Sequence, residues 1–383
     1  MSNYTRRTFI KQLALAGGFL VAGEKATRVF ANDDQTGALE MLTLGDSVVW
    51  GQGLMPENKF SHLVCDWLKA ESGRQVNFHN EAHSGATIYP ESDEKKKYKF
   101  YGREIKDGEE INVSLPSIFR QLKDSVEFYK SRGAADGGKL TPAAVDLILL
   151  DGGINDVHAL NIILLSPDKI GERAEKFCYK GMKELLKEVI ESYPNARIVV
   201  TGYFPLISMD SNPTEIQDGV FALLGENKPQ ELAAELTKKF LKILPKDWHQ
   251  FHKALAERSD TWYEKSNEYL SRAVAEINSV EKSTSFSAGN PRVLFAAVPF
   301  SSKNAYAVDD STLLWRIKAK IKTDDEMFEA RKKICEAVNN KLFGELTCHR
   351  AAAFHPNIKG AQEYAAAIKN KLAPILDAAG WKK

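Results

Sequence analysis

Short apolar runs alternate with amphipathic stretches along most of the chain. Five runs are rich in β-branched and apolar residues, at positions 41–44, 76–78, 145–150, 197–201 and 292–297. Helical patterns or long connections separate these runs, and strands that alternate with helices are typical of a parallel sheet covered on both faces. The continuous apolar run at 145–150 suits a buried central strand. We therefore predict a three-layer α/β/α domain of the flavodoxin-like kind, with about five parallel strands.

A long segment, from about residue 209 to residue 290, separates the fourth and fifth predicted strands. Its apolar positions recur at helical spacing, at Leu232, Leu236, Phe240 and Ile243, then at Phe251, Leu255 and Trp262. The segment is too long for an ordinary crossover, so we predict a helical insertion. It either overhangs a site or enlarges the core. A second long connection, 89–141, opens with a charged run at 91–99 that is typical of a solvated loop.

The first 31 residues have the layout of a signal peptide. The segment 5–11, Thr-Arg-Arg-Thr-Phe-Ile-Lys, precedes an apolar stretch at 13–22, and Val-Phe-Ala follows at 29–31. The paired arginines resemble a bacterial twin-arginine signal, and the small residues suit cleavage after Ala31. A basic amphipathic tail is the alternative. We expect a mature domain over 32–383, exported to the periplasm or the medium, without a membrane span, because the apolar run falls short of the roughly 20 residues a span needs.

The composition limits which partners and metal sites we expect. Lys plus Arg number 52 and Asp plus Glu 51, so a net charge of +1 provides no long-range field for nucleic acid, which we do not expect as a partner. The four cysteines, Cys65, Cys178, Cys335 and Cys348, lack the spacing of a structural zinc site. Pairing of Cys335 with Cys348 would close the shortest loop, and buried free thiols are the alternative. The oligomeric state stays open.

Polar residues follow three of the predicted strands, where ligands bind in open parallel sheets. They occupy positions 45–47, 80–85 and 151–156. An ester-cleaving site needs a nucleophile, a base and donors for the oxyanion. Ser47 offers a hydroxyl and a backbone amide, Gly85 permits close backbone approach, and Asn155 offers a side-chain amide. His355, in the loop after the fifth strand, can reach the same edge as a base. A turn or capping serine and an ordinary loop histidine are the alternatives.

Four sequence blocks resemble those of the SGNH/GDSL hydrolase family, in the family's order. They are Leu-Thr-Leu-Gly-Asp-Ser at 42–47 with Gly-Gln-Gly at 51–53, His-Ser-Gly-Ala-Thr at 83–87, Gly-Ile-Asn-Asp at 153–156, and Phe-His-Pro-Asn at 354–357. The resemblance implies an esterase or lipase that needs no metal or organic cofactor. It makes Ser47 the nucleophile and His355 the general base, with the Ser47 amide, the Gly85 amide and the Asn155 side chain forming the oxyanion hole.

The resemblance further implies that a carboxylic ester is cleaved through an acyl-serine intermediate. The segment Val-Thr-Gly-Tyr-Phe-Pro at 200–205 resembles esterase and lipase branches of the family and favours a lipid or short-acyl ester. Acyl transfer and polysaccharide deacetylation on the same site are the alternatives. We expect Asp46 and Asp156 to hydrogen-bond turn backbones rather than to react.

One position departs from the family pattern. The family places an aspartate three residues before the histidine, where this chain has Ala352. Three explanations are open: a backbone carbonyl orients His355 in a Ser-His dyad, an acid such as Asp309 or Asp310 comes from another loop, or the site has lost activity. The last would make the chain a non-catalytic exported binding protein.

Overall fold

Five parallel strands form the centre of the fold in the computed structural model. The structure describes residues 37–95, 110–111, 115–135, 140–216, 248–280, 286, 289–318, 322–337 and 348–382. The strands are β1 Leu39–Leu44, β2 Val76–Asn80, β3 Val145–Leu150, β4 Arg197–Thr201 and β5 Val293–Ala296. Their order, β2-β1-β3-β4-β5, is the flavodoxin-like order. The predicted fold class is therefore confirmed, whereas the predicted signal segment 1–31 lies outside the described residues.

The strand ends differ from the prediction where pairing extends past the apolar run. β1 begins at Leu39, two residues earlier than predicted, because Leu39 and Glu40 pair with Val76 and Asn77 of β2. The Glu40 N–H also donates to the Asp146 carboxylate at 2.8 Å. Backbone pairing with the neighbouring strand thus accommodates a polar residue that hydrophobicity alone does not predict.

The helices cover the sheet. They are α1 Ser47–Trp50, α2 Phe60–Ser72, α3 Ile118–Ala135, α4 Ile154–Val157, α5 Ala159–Leu164, α6 Pro167–Ala174, α7 Met182–Ser192, α8 Trp248–Ser279, α9 Phe328–Ala337 and α10 Ile358–Leu372. A π-helical turn, Glu175–Gly181, joins α6 to α7. The strand order reverses after β2, so right-handed crossovers place α2 and α3 on opposite faces. α10 packs with α2, and α7 packs with α3, which gives the three layers.

Helix α8 lies within the segment predicted to be an insertion. It buries Phe251, Leu255 and Trp262 and packs against α6, the π-helical turn and β5. This part of the segment therefore enlarges the core, and the predicted helical positions between Leu232 and Ile243 lie outside the described residues. None of the helices in the described part of the chain is long and apolar enough to cross a bilayer.

A disulfide joins Cys335 of α9 to Cys348, while Cys65 and Cys178 are free. Of the two alternatives for this cysteine pair, the structure contains the bridge.

Because the bridge closes a loop with a sequence separation of 13, we expect the Cys335→Ser/Cys348→Ser variant to lose about 3 kcal/mol of unfolding free energy in urea titrations. The half-buried Cys65→Ser is the control. Four reactive thiols in the unreduced, unfolded protein, instead of two, would contradict the bridge.

Candidate active site

Ser47 begins α1 immediately after β1, in a turn fixed by two carboxylates. Asp46 caps the helix, and its carboxylate accepts a hydrogen bond from the Val48 N–H at 2.9 Å. The buried Asp151, just after β3, accepts from the Asp46 N–H at 2.7 Å and from the Val49 N–H at 3.2 Å. These bonds satisfy backbone donors at the helix start that have no partner within the helix. They hold Ser47 at the carboxyl edge of the sheet.

Gly45 allows this turn to pass close to β3. Its φ is +153°, and a Cβ at this position would lie 2.0 Å from Asp151 Oδ1. The Gln121 side chain of α3 holds the same residue from the other side, since it donates to the Gly45 carbonyl at 2.9 Å and accepts from the Gly45 N–H at 2.8 Å. A side chain at position 45 would therefore displace the carboxylate that positions Ser47.

The carboxyl groups below Ser47 are wholly buried. Tyr203 donates to Asp46 Oδ2 at 2.8 Å and accepts from the Ile154 N–H at 3.3 Å, which links the first and third sequence blocks. Burial raises the pKa of Asp46, and burial together with the adjacent Asp46 raises the pKa of Asp151. The two carboxyl groups are therefore a buried, hydrogen-bonded support for the turn that carries Ser47.

The structure brings Ser47 and His355 together across 308 residues of sequence. The Ser47 Oγ and the His355 Nε2 are 2.7 Å apart, and the His355 Nδ1 is 3.1 Å from the Ala353 carbonyl oxygen. A carbonyl oxygen only accepts, so Nδ1 carries the proton and Nε2 is free to accept from the serine hydroxyl. Burial of the ring lowers the pKa of His355 to about 4, which keeps it neutral at physiological pH. This is the tautomer that a general base requires.

Ala352, at the position of the family's aspartate, is completely buried. A Cβ built on Gly53 would lie 2.7 Å from the Ala352 Cβ and 2.9 Å from the Asp325 Cβ, so this corner is tightly filled. Asp309 and Asp310 are exposed, and Asp309 pairs with Arg316 at 3.4 Å rather than with the histidine. Of the three explanations for Ala352, orientation by a backbone carbonyl is the one whose contact is present.

Two of the three expected oxyanion donors, Gly85 and Asn155, lie on segments that contact each other. The Asn155 side-chain amide donates to the Ala86 carbonyl at 3.0 Å, and a second N–H remains on the same nitrogen. Gly85, beside Ala86, has a φ of +83°. Within the described part of the chain, the backbone N–H groups of Ser47 and Gly85 donate to no other group. They are available to an oxyanion.

Several residues that position the site carry no motif of their own. Gln121 and Tyr203 belong to α3 and to the loop after β4, and only the segment 200–205 indicated the latter. Asp156 accepts from the Ile88 N–H at 2.9 Å, as a structural aspartate would. No group of three or more side chains suited to a metal occurs among the residues that the structure describes, and His252 is buried against the Ser208 carbonyl at 2.7 Å.

Comparison with known proteins gives distant structural likenesses. No family model matches the chain, and no curated protein matches it. An extracellular lipase from Streptomyces rimosus has a TM-score of 0.45 and 11% identity over 87% of this chain and 99% of its own. A phospholipase A1 from Streptomyces albidoflavus has a TM-score of 0.42 and 14% identity over 87% and 99%. A family 3 carbohydrate esterase from Clostridium thermocellum has a TM-score of 0.36 and 11% identity, over 89% of this chain and 98% of its own. Likenesses this distant do not indicate the reaction of this chain.

The lowered pKa of His355 makes stability depend on pH in a definite direction. The folded ring titrates near 4 and the unfolded ring near its ordinary value of about 6.5. Between these values the unfolded chain binds a proton that the folded chain does not, so this contribution to unfolding free energy falls as pH falls. Unfolding free energies are measured by urea titration at pH 7 and at pH 5. The decrease from pH 7 to pH 5 should be about 1–2 kcal/mol smaller in His355→Gln than in wild type. Equal losses would contradict a ring held neutral.

Proposed function

We propose that this chain is a serine hydrolase of carboxylic esters, of the SGNH/GDSL kind, acting through a Ser47–His355 dyad. The observation that carries the proposal is the 2.7 Å contact between Ser47 Oγ and His355 Nε2, with Nδ1 held by the Ala353 carbonyl. A nucleophile, a base in hydrogen-bond reach and a group that orients the base are the parts that nucleophilic catalysis needs.

The dyad supports a two-step reaction. Ser47 Oγ attacks the ester carbonyl carbon while its proton passes to His355 Nε2, and the tetrahedral intermediate then expels the alcohol, which takes that proton. A water molecule next gives its proton to Nε2 and attacks the acyl-serine. Collapse of the second intermediate releases the carboxylic acid, and the proton returns to Ser47.

The negative oxygen of each intermediate would be stabilised by the Ser47 and Gly85 amides and the Asn155 side chain. Two of these donors are backbone groups in fixed turns, and the Asn155 side chain is held by the Ala86 carbonyl. Donors that are already oriented cost little reorganisation during the reaction. The alternative of a non-catalytic binding protein does not account for a base in the reactive tautomer next to an aligned serine.

We extend the proposal to lipid or short-acyl esters as substrates. The support is the resemblance of the segment 200–205, at the end of β4 and in the loop that follows it, to esterase and lipase branches of the family. Acyl transfer and polysaccharide deacetylation would use the same dyad, and they differ from hydrolysis in the acceptor or the substrate that turns over.

The proposed dyad is tested with p-nitrophenyl acetate, butyrate and octanoate. Wild type should hydrolyse at least one ester. Ser47→Ala and His355→Ala should each lower kcat by about 10³-fold or more, because the first removes the nucleophile and the second removes the base that activates it. Asp309→Asn is the matched control and should retain kcat. Loss of activity in the control would instead favour an acid from that loop, and turnover that survives Ser47→Ala would exclude Ser47 as the nucleophile.

We also propose that the chain is exported through a twin-arginine signal at 1–31. The Cys335–Cys348 disulfide supports this proposal, since such bonds persist in oxidising compartments. Arg6→Lys/Arg7→Lys should leave an uncleaved precursor in the cytoplasmic fraction of a bacterial host, whereas wild type should appear outside it with Asn32 as its first residue. Fractionation with mass spectrometry measures both. A wild-type chain that stays cytoplasmic with Met1 in place would contradict export.

A further inference from the structure

A wholly buried arginine lies beside the candidate site. Arg331 of α9 is unexposed and binds the Asp325 carboxylate at two points, Nη1–Oδ1 at 2.9 Å and Nη2–Oδ2 at 2.8 Å. Its Nη1 also lies 3.2 Å from Glu110 Oε2, and its Nη2 donates to Thr323 Oγ1 at 3.0 Å. We call these four residues the Arg331 cluster. Buried ion pairs add little net stability compared with apolar packing, so their role has to be sought in what they hold in place.

The cluster holds the loop that follows the nucleophile. The Glu110 carboxylate accepts hydrogen bonds from Trp50 Nε1 at 3.1 Å, Gln52 Nε2 at 2.9 Å and the Gly53 N–H at 3.2 Å. The first of these residues ends α1, the helix that Ser47 begins. Glu110 is therefore bonded to the continuation of the nucleophile turn and to Arg331 at once.

The cluster also holds the loop that carries the base. Arg331 donates from Nε and Nη2 to the His349 carbonyl oxygen, at 3.1 and 3.0 Å. The next turn runs through the Ala353 N–H, bonded to the Arg350 carbonyl at 2.8 Å, to the residue whose carbonyl orients His355. The disulfide from Cys348 to α9 fixes the same stretch to the same helix.

We propose that Arg331 is a positioning residue that sets the alignment of Ser47 with His355 by joining the two loops through Glu110 and the His349 carbonyl. The inference rests on the proposed function. In a site with a direct acid, the carboxylate orients the imidazole itself. Here a backbone carbonyl does so, and a carbonyl is only as well placed as its loop. Arg331 acts through the Ala353 carbonyl and does not touch the reacting atoms.

The test compares Arg331→Met with Arg292→Met. Arg292 is likewise buried and directly precedes β5, at the opposite end of the strands from the site. It donates to the carbonyl oxygens of Ile190, Tyr193 and Pro194. Both variants are assayed on p-nitrophenyl acetate at a temperature where near-ultraviolet circular dichroism shows native packing. Arg331→Met should lower kcat by about 10²-fold with little change in KM, as a small misplacement of reacting groups does. Arg292→Met should keep the wild-type kcat.

A second readout does not need turnover. Among the residues that the structure describes, the charged groups that act on the His355 ring include Arg331, which lowers its pKa, and Asp325, which raises it. Loss of the arginine leaves Asp325 unopposed, so the pKa of His355 should rise in Arg331→Met and should stay unchanged in Arg292→Met. Nuclear magnetic resonance titration of the ring signals, assigned with His355→Ala, measures this shift.

The outcomes separate the two proposals. Wild-type kcat and an unchanged His355 titration in a folded Arg331→Met would overturn the positioning role and leave Arg331 as support for the fold only. Wild type without Ser47-dependent turnover would overturn the proposed function, and with it the catalytic meaning of the positioning role, whatever the ring titration shows.

If Arg331→Met does not fold, Glu110→Gln is used, because it keeps an acceptor for Gln52 and Gly53 and loses the charge that binds Arg331. A smaller fall in kcat at constant KM supports the inference, and an unchanged kcat overturns it.

Discussion

The Asp151 carboxylate accepts two backbone hydrogen bonds from the turn that carries Ser47, and the geometry of the site depends on them. They join the end of β1 to the end of β3, so the position of the serine follows from strand pairing in the centre of the sheet. Gly45 lets the turn approach, and Gln121 closes it from the α3 side. A nucleophile held in this way needs no further ordering when a substrate arrives, which is what preorganised catalysis requires.

His355 is oriented by a weaker interaction than the ones that hold Ser47. A carbonyl at Ala353 fixes the tautomer of His355 as a carboxylate would, but it carries no full charge to stabilise the imidazolium that forms during the reaction. Burial also lowers the pKa of the partly exposed His355 ring, so forming the imidazolium is costly. Catalysis at this site would therefore depend on the alignment of Ser47 and His355 more than on the basicity of the ring. The loop before His355 is accordingly tied to α9 by both a disulfide and Arg331.

The sequence predicted the parts of the molecule that depend on local pattern. Apolar runs located the five strands, and Gly-Asp-Ser and His-Pro indicated the two residues that the structure brings within 2.7 Å. Contacts between distant segments could not be predicted in this way. Arg331 and Glu110 are 221 positions apart, and each looks like a surface residue in its own charged stretch. Their burial follows from two long connections folding against one another, and neither hydrophobic periodicity nor a short motif encodes that contact.

We propose that His355, oriented by the Ala353 carbonyl, activates Ser47. Labelling with a fluorophosphonate probe, followed by mass spectrometry of the modified peptide, tests this proposal without the need for a known substrate. We predict a single adduct on Ser47 in wild type, and much slower formation of that adduct in His355→Ala. No adduct in wild type, an adduct on another residue, or equal labelling rates in the two proteins would contradict it.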